Sequence, residues 1–280
     1  MTATTREAVS TTAGCVALRM DDVGASTKRY EVYSKHQWGR GPFKISGNWL
    51  FLKYCPPFKA WGPYRELTAN EWRALCDALA RAGAKLTVGI TAAWAEWHDT
   101  VIPFPQRAPE AAAVIRDGVK AGLIEVANHG LTHCVLEGNK FRPRLWKSNR
   151  EFHREFWEWV PSEIQEAHIR RSQQILQDYF REPVVTFVPP GNVFTPTTLE
   201  IASRHGLRYV SCDTVAGRPG PMIVIGNEGV VPFHDRDIVY GGVRWLDDAL
   251  LEARGRWCFV RDLGAAKTTD PVLSDSEAVR

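Results

Sequence analysis

His129 and His133 stand four residues apart. In a helical turn that spacing puts both imidazoles on one face, about 5–6 Å apart between Cβ atoms, close enough to share one metal ion. The pair is not diagnostic by itself, because histidines so spaced also cap helices or fill surfaces. The adjacent carboxylates Asp21 and Asp22 are equally at home in a solvated loop or as a helix cap. Taken together, two imidazoles and one carboxylate form a catalytic zinc set with a fourth position open to water or substrate. Residues so distant in sequence need a scaffold that gathers them.

Seven short apolar runs read as strands: Cys15–Met20, Lys85–Thr91, Leu123–Ala127, Val184–Val188, Arg208–Cys212, Val230–Phe233 and Trp257–Val260. Most are continuous rather than alternating, as in parallel strands covered on both faces. Helical patterns separate them. Thr68-Ala-Asn-Glu71 is a capping box for a helix stopping at Gly83, and Pro109 starts one ending near Gly122. Pro161 opens a third that runs to about Phe180, Thr195-Pro196 a fourth closed by Gly206, and Val243 to Gly255 is the last. Open α/β sheets and barrels place their chemistry at the C-terminal ends of strands. Those ends here carry Asp21-Asp22, Asn128 to His133, Pro189-Pro190-Gly191-Asn192, Asp213, His234 to Asp237, and Arg261-Asp262. Seven strands converging on one polar rim predict an α/β fold, a distorted and incomplete (β/α)7 barrel.

Two aromatic insertions interrupt this plan, Gly24 to Glu66 and Cys134 to Val160. The first follows Asp21-Asp22 directly and is expected to fold over the rim and narrow the site. Most of the rings are expected to pack, with one or two left to stack on sugars. The domain is expected over residues 15–264, between flexible ends at 1–14 and 265–280.

A net charge of +3 without long runs of either sign suggests neither a nucleic-acid binder nor a polybasic membrane module. No apolar stretch reaches the roughly 20 residues of a membrane span. The first residues lack a signal-peptide pattern. The six cysteines are far apart without a Cys-x-x-Cys pair, which fits packing thiols, reduced in a cytoplasm.

The ordered set of rim motifs resembles the polysaccharide deacetylase family, the NodB-homology fold of carbohydrate esterase family 4. The resemblance implies that Asp21, in Leu18-Arg-Met-Asp21-Asp22-Val, is the catalytic base and Asp22 a metal ligand. His129-Gly-Leu-Thr-His133 matches the family's His-Ser/Thr-x-x-His and supplies two histidine ligands. Val188-Pro189-Pro190-Gly191-Asn192 stands where the family has Arg-x-Pro-x-Gly, with Gly191 offering its N–H to the oxyanion. Asp213 corresponds to an aspartate after the next strand, and His234 to the general acid. Looser similarity links the long insertions to members associated with O-antigen and surface-glycan synthesis.

Three positions depart from the family pattern: Val188 for the arginine that orients the base, Asn192 for the last glycine, and Gly130 for Ser/Thr. Arg236 or Arg261 is a candidate substitute for the arginine; failing both, Asp21 is poorly held. The implied reaction is metal-dependent hydrolysis of an N-acetyl group on an amino sugar. Zinc is the expected ion, and Asp213 or Asp235 the expected hydrogen-bond partner of His234. Two alternatives stay open: a pseudoenzyme that binds sugars, and a different C–N hydrolase, such as a deformylase, on the same scaffold.

Overall fold

The computed structural model describes residues 14–29, 37–40, 43–46, 65–96, 100–134, 154–213, 220–252 and 256–269. Most of both insertions lies outside the described residues, and with it the expectation that the first one covers the rim. The strands are β1 (Cys15–Val23), β2 (Gln37–Arg40), β3 (Phe43–Ser46), β4 (Leu86–Ile90), β5 (Ala93–Ala95), β6 (Val101–Pro103), β7 (Ile124–Asn128), β8 (Thr186–Phe187), β9 (Tyr209–Ser211), β10 (Ile223–Ile225), β11 (Val230–His234) and β12 (Arg256–Cys258). The helices are α1 (Ala69–Ala82), α2 (Phe104–Arg107), α3 (Pro109–Lys120), α4 (Ser162–Phe180), α5 (Pro196–Arg204), α6 (Asp235–Gly241), α7 (Arg244–Glu252) and α8 (Val260–Thr269).

One parallel sheet runs in the order β10-β9-β8-β7-β4-β1-β11, with β12 paired to the start of β1. It curls into a half-barrel with helices outside, the α/β architecture expected. All seven expected strands are in it. An eighth, β10, is a three-residue edge strand that the sequence reading misses, and α6 and α8 are also missed. Helix α8 runs into the stretch expected to be tail. The first insertion contributes the β2–β3 hairpin.

Every residue of β1 is buried, and its side chains alternate in role. Leu18 and Met20 join Leu86, Val88, Trp72, Leu75, Leu79 and Ile115 in the core between sheet and helices. Arg19 and Asp21 face the other way, into a polar interior. At the opposite end of the strands from the rim, Glu125 accepts hydrogen bonds from the Thr87 and Thr186 hydroxyls at 2.7 and 2.6 Å. Burial pushes its pKa up although those bonds favour the ionised form. The second insertion does pack as expected at Phe156, buried edge-on against Phe187 with centroids 5.3 Å apart.

The cysteines need one correction. Cys15 and Cys258 form a disulfide, with Cα atoms 6.1 Å apart. Pairing of β12 alongside β1 sets Cys15 opposite Arg256 and brings Cys258 within reach, a proximity invisible across 243 residues of sequence. Cys76, Cys134 and Cys212 are free thiols, and Cys134 and Cys212 are buried.

Thr68 and Glu71 close the capping box of α1 as expected, and Gly83 ends the helix in the left-handed conformation. Glu71 also receives two 2.7 Å hydrogen bonds from Arg65, which lower its pKa from 4.5 to about 2, with Thr68 adding to the shift. A depressed carboxylate pKa stabilises the fold above its unfolded value and loses that contribution as pH falls through the folded one. The prediction is that Glu71→Gln flattens the acid limb of stability between pH 4.5 and 2. At neutral pH the loss should be under about 1 kcal/mol because the pair is at the surface. Urea unfolding at a series of pH values measures both.

Candidate metal centre

β1 is irregular where it carries the first site residues. Its register against β4 shifts between Met20 and Val23, and Asp22 lies at φ 69°. In a regular strand Asp21 and Asp22 would face opposite sides. A bulge re-aims a side chain, and here it turns Asp22 to the histidines. His129 Nε2 and His133 Nε2 lie 3.2 and 3.3 Å from the same oxygen, Asp22 Oδ1. One ligand atom from each of the three residues falls within 4.8 Å of the others, and all three are buried.

The histidines are held in a ligand-ready state. His129 Nδ1 is 2.7 Å from the Val188 carbonyl, which can only accept, so Nδ1 carries the hydrogen and Nε2 presents its lone pair. His133 Nδ1 meets the Thr27 hydroxyl at 3.4 Å. The expected helical turn, however, is not there. Gly130 at φ 79° and His133 at φ 61° break it, and the segment folds instead around the buried carboxylate of Glu155. Three of the four non-glycine residues with positive φ among the described residues, Asp22, His133 and Asn192, belong to this rim. Such strain collects at functional sites.

Burial is the largest influence on Asp22 and opposes its charge. While no ion is bound, protonated imidazoles outweigh it, His234 by its charge and His129 and His133 by hydrogen bonds, and hold the carboxyl well below the usual range; a cation would take the place of those protons. An ionised carboxylate with two imidazole lone pairs is the donor chemistry of a divalent cation such as zinc, so the residues fit that ion.

Asp21 is oriented by a residue that the sequence reading passed over. Arg19 Nε and Nη2 each donate to one Asp21 oxygen at 3.0 Å, and Nη1 donates to Ser211 at 2.8 Å. Arg19 and Asp21 are two residues apart on β1 and so share a face. Arg236 and Arg261 do not take this part: Arg236 lies 3.5 Å from Asp22 Oδ2, and Arg261 stacks on Phe259. Gly89 lies beside both Asp21 and His129, at distances where a side chain would make ordinary contact. A Cβ there would meet Asp21 Oδ1 at 3.4 Å and His129 Cβ at 3.5 Å.

His234 pairs in register with Asp21 across β1 and β11, and its Nε2 is 3.8 Å from Asp22 Oδ2. Its expected carboxylate partners are engaged elsewhere. Asp213 is tied to Asn192, whose Nδ2 donates at 2.9 Å, and Asp235 is ion-paired to Lys28. His234 Nδ1 instead accepts from Arg236 at 3.2 Å, with Asp237 at 4.0 Å. Gly191 sits in a tight turn at φ 63°, one flank against Arg154, and the neighbouring Pro190 abuts Gly130.

Lys28, wholly buried, bridges Asp235 and Glu66, and Glu66 also accepts the Gly24 N–H. Burial works against the lysine charge, but the two carboxylates outweigh it and raise its pKa. This clamp ties the loop after β1 to the start of α6.

The polysaccharide deacetylase family model matches residues 62–210, just over half of the chain, a span that holds His129, His133 and Gly191 but not the aspartate pair. No curated protein sequence matches. Among solved structures, a CE4 family pseudoenzyme from Bacillus anthracis is 12% identical with a TM-score of 0.49, covering 91% of this chain and 66% of that one. A family 4 acetyl xylan esterase from Clostridium thermocellum, in complex with a cobalt ion, is 13% identical with a TM-score of 0.46, covering 91% and 92%. A family 4 carbohydrate esterase from Streptomyces lividans, in complex with acetate, is 16% identical with a TM-score of 0.44, covering 88% and 98%. The chain thus spans just under two thirds of the pseudoenzyme's length.

The geometry predicts one ion per chain. His129→Ala should abolish stoichiometric metal by elemental analysis, and full retention would refute the ligand assignment.

Proposed function

The chain belongs to the polysaccharide deacetylase family, and from that premise we propose that it removes the N-acetyl group of an amino sugar at a metal centre formed by Asp22, His129 and His133. The convergence of those three ligand atoms beside an aspartate gripped by Arg19 carries the reading. Zinc is the proposed ion; when bound, it would supply Lewis acidity to polarise the amide carbonyl and acidify water.

Asp21 accepts the proton of the attacking water. Arg19 holds both of its oxygens, so the carboxylate meets the water in one fixed plane instead of sampling rotamers. Gly191 N–H is the proposed donor to the tetrahedral oxyanion; losing one such donor typically costs about 3–4 kcal/mol of barrier. Amines leave badly unless protonated, and His234 is the proposed acid. In that role it acts as the imidazolium, which requires the Arg236 guanidinium to leave Nδ1, and delivers the proton from Nε2, the nitrogen nearer Asp22. Asp213 acts at one remove by holding the Asn192 side of the Gly191 turn.

Surface-glycan metabolism is the proposed setting, supported by the long aromatic insertions. Among the described residues no helix is long and apolar enough to cross a membrane. The Cys15–Cys258 disulfide weighs against the cytoplasmic setting that widely spaced thiols suggest.

A second reading, a pseudoenzyme, is favoured by one observation: the Arg236 guanidinium lies 3.5 Å from Asp22 Oδ2, a cation already placed at the ligand carboxylate. Acetate release from a panel of N-acetyl sugars separates the two. With turnover established, Asp21→Asn should keep the metal and lose roughly 10²–10⁴-fold in rate, the usual contribution of a general base. Asp22→Asn should lose both metal and activity. Arg19→Met should lower kcat with metal content unchanged. Stoichiometric metal without turnover of any acylated sugar would establish the pseudoenzyme.

A further inference from the structure

The segment from Gly130 to Cys134 is neither helix nor strand; its Gly130 and Leu131 carbonyls accept the Ala92 and Ala93 N–H groups, and it must present His133 at φ 61°. Its amides are collected by one side chain. Glu155 Oε1 accepts the N–H groups of Leu131 and Thr132 at 3.1 and 3.0 Å, and Oε2 accepts that of His133 at 3.2 Å. Glu155 is completely buried, and His168 on α4 donates Nδ1–H to Oε1 at 2.6 Å. The preceding residues are held from the same helix: Asn128 accepts the Gly130 N–H at 2.9 Å and donates to Ser172 and Gln173 at 2.8 and 3.0 Å. The buried face of α4 thus offers His168, Ser172 and Gln173 where an ordinary amphipathic helix would bury apolar side chains. Gly130 shows how close the fit is, because a Cβ at that position would overlap Glu155 Oε2.

We propose that Glu155, seated by His168, is a positioning residue of the metal centre, setting His133 Nε2 where His129 and Asp22 converge. In a helical turn starting here these three N–H groups would belong to the first turn and lack intrahelical acceptors; a carboxylate takes them instead through charge-assisted bonds, which are about twice as strong as neutral ones. A carboxamide in its place keeps the shape but offers one good acceptor and turns an NH2 toward donors. The inference rests on the reading of Asp22, His129 and His133 as ligands, and groups that orient ligands typically govern metal affinity by 10–100-fold.

The test is Co²⁺ titration of the metal-stripped full chain, following visible absorption, for the wild type, Glu155→Gln and His168→Gln. Urea unfolding of each apo protein reports on the fold. Cobalt should bind the wild type one to one, and bind Glu155→Gln roughly 10–100-fold more weakly with altered absorption bands. Unchanged affinity and bands in Glu155→Gln, with or without a lower urea midpoint, would make Glu155 a fold element only and overturn the proposal. If Glu155→Gln does not fold, His168→Gln decides by the same criteria. A wild type that takes up no cobalt would overturn the ligand reading itself, and this inference with it.

Discussion

A carboxylate removed from water at the end of a fully buried strand must find positive or hydrogen-bonding partners, because leaving it unpaired costs several kcal/mol. Asp22 is in that position, and the rim is arranged around it. Partners among the described residues include His129 and His133 beyond β7, and His234 with Arg236 where β11 meets α6. The strand order explains how they arrive. β1 lies between β4 and β11, with β7 one strand further on, so both partner segments leave the sheet on the same side as Asp22 and flank it.

Much of this could be read from residue types alone, since buried parallel strands appear as apolar runs and their polar ends announce the rim. Arg19 is hard to read because a charge inside such a run looks like a flaw in it; the two-residue period shared with Asp21 is the available signal. The histidine spacing points to a pair that the fold does bring together at Asp22, but to the wrong backbone. The spacing implies helical geometry where a glycine and a left-handed histidine wrap around Glu155 instead. Glu155 itself left no local trace, lying in a stretch read only for its rings, and its role emerges from contacts over more than twenty residues of chain. Cys258 is an extreme case of the same limit. The short β10 and helix α6 fell below the length at which periodicity separates an element from a loop.

The departures from the family pattern have physical explanations in their surroundings. Val188 has lost a guanidinium, but its backbone carbonyl still fixes the tautomer of His129, a task that no side-chain change can remove. Asn192 adopts φ 57°, which asparagine tolerates better than most residues, and its amide ties the turn to Asp213. Gly130 replaces a hydroxyl residue where any Cβ would collide with Glu155.

Placing Arg19 and Asp21 on one strand has a further consequence. An arginine on the loop after β8 would couple the grip on Asp21 to that loop's position, so any movement there would loosen Asp21. With both groups on β1, flanked by β4 and β11 and anchored to Ser211 on β9, Asp21 and its anchor travel as one rigid body. The loop carrying Gly191 still meets His129 through the Val188 carbonyl but has no part in holding Asp21, so a change in its outer shape would leave the Arg19–Asp21 pair where it is.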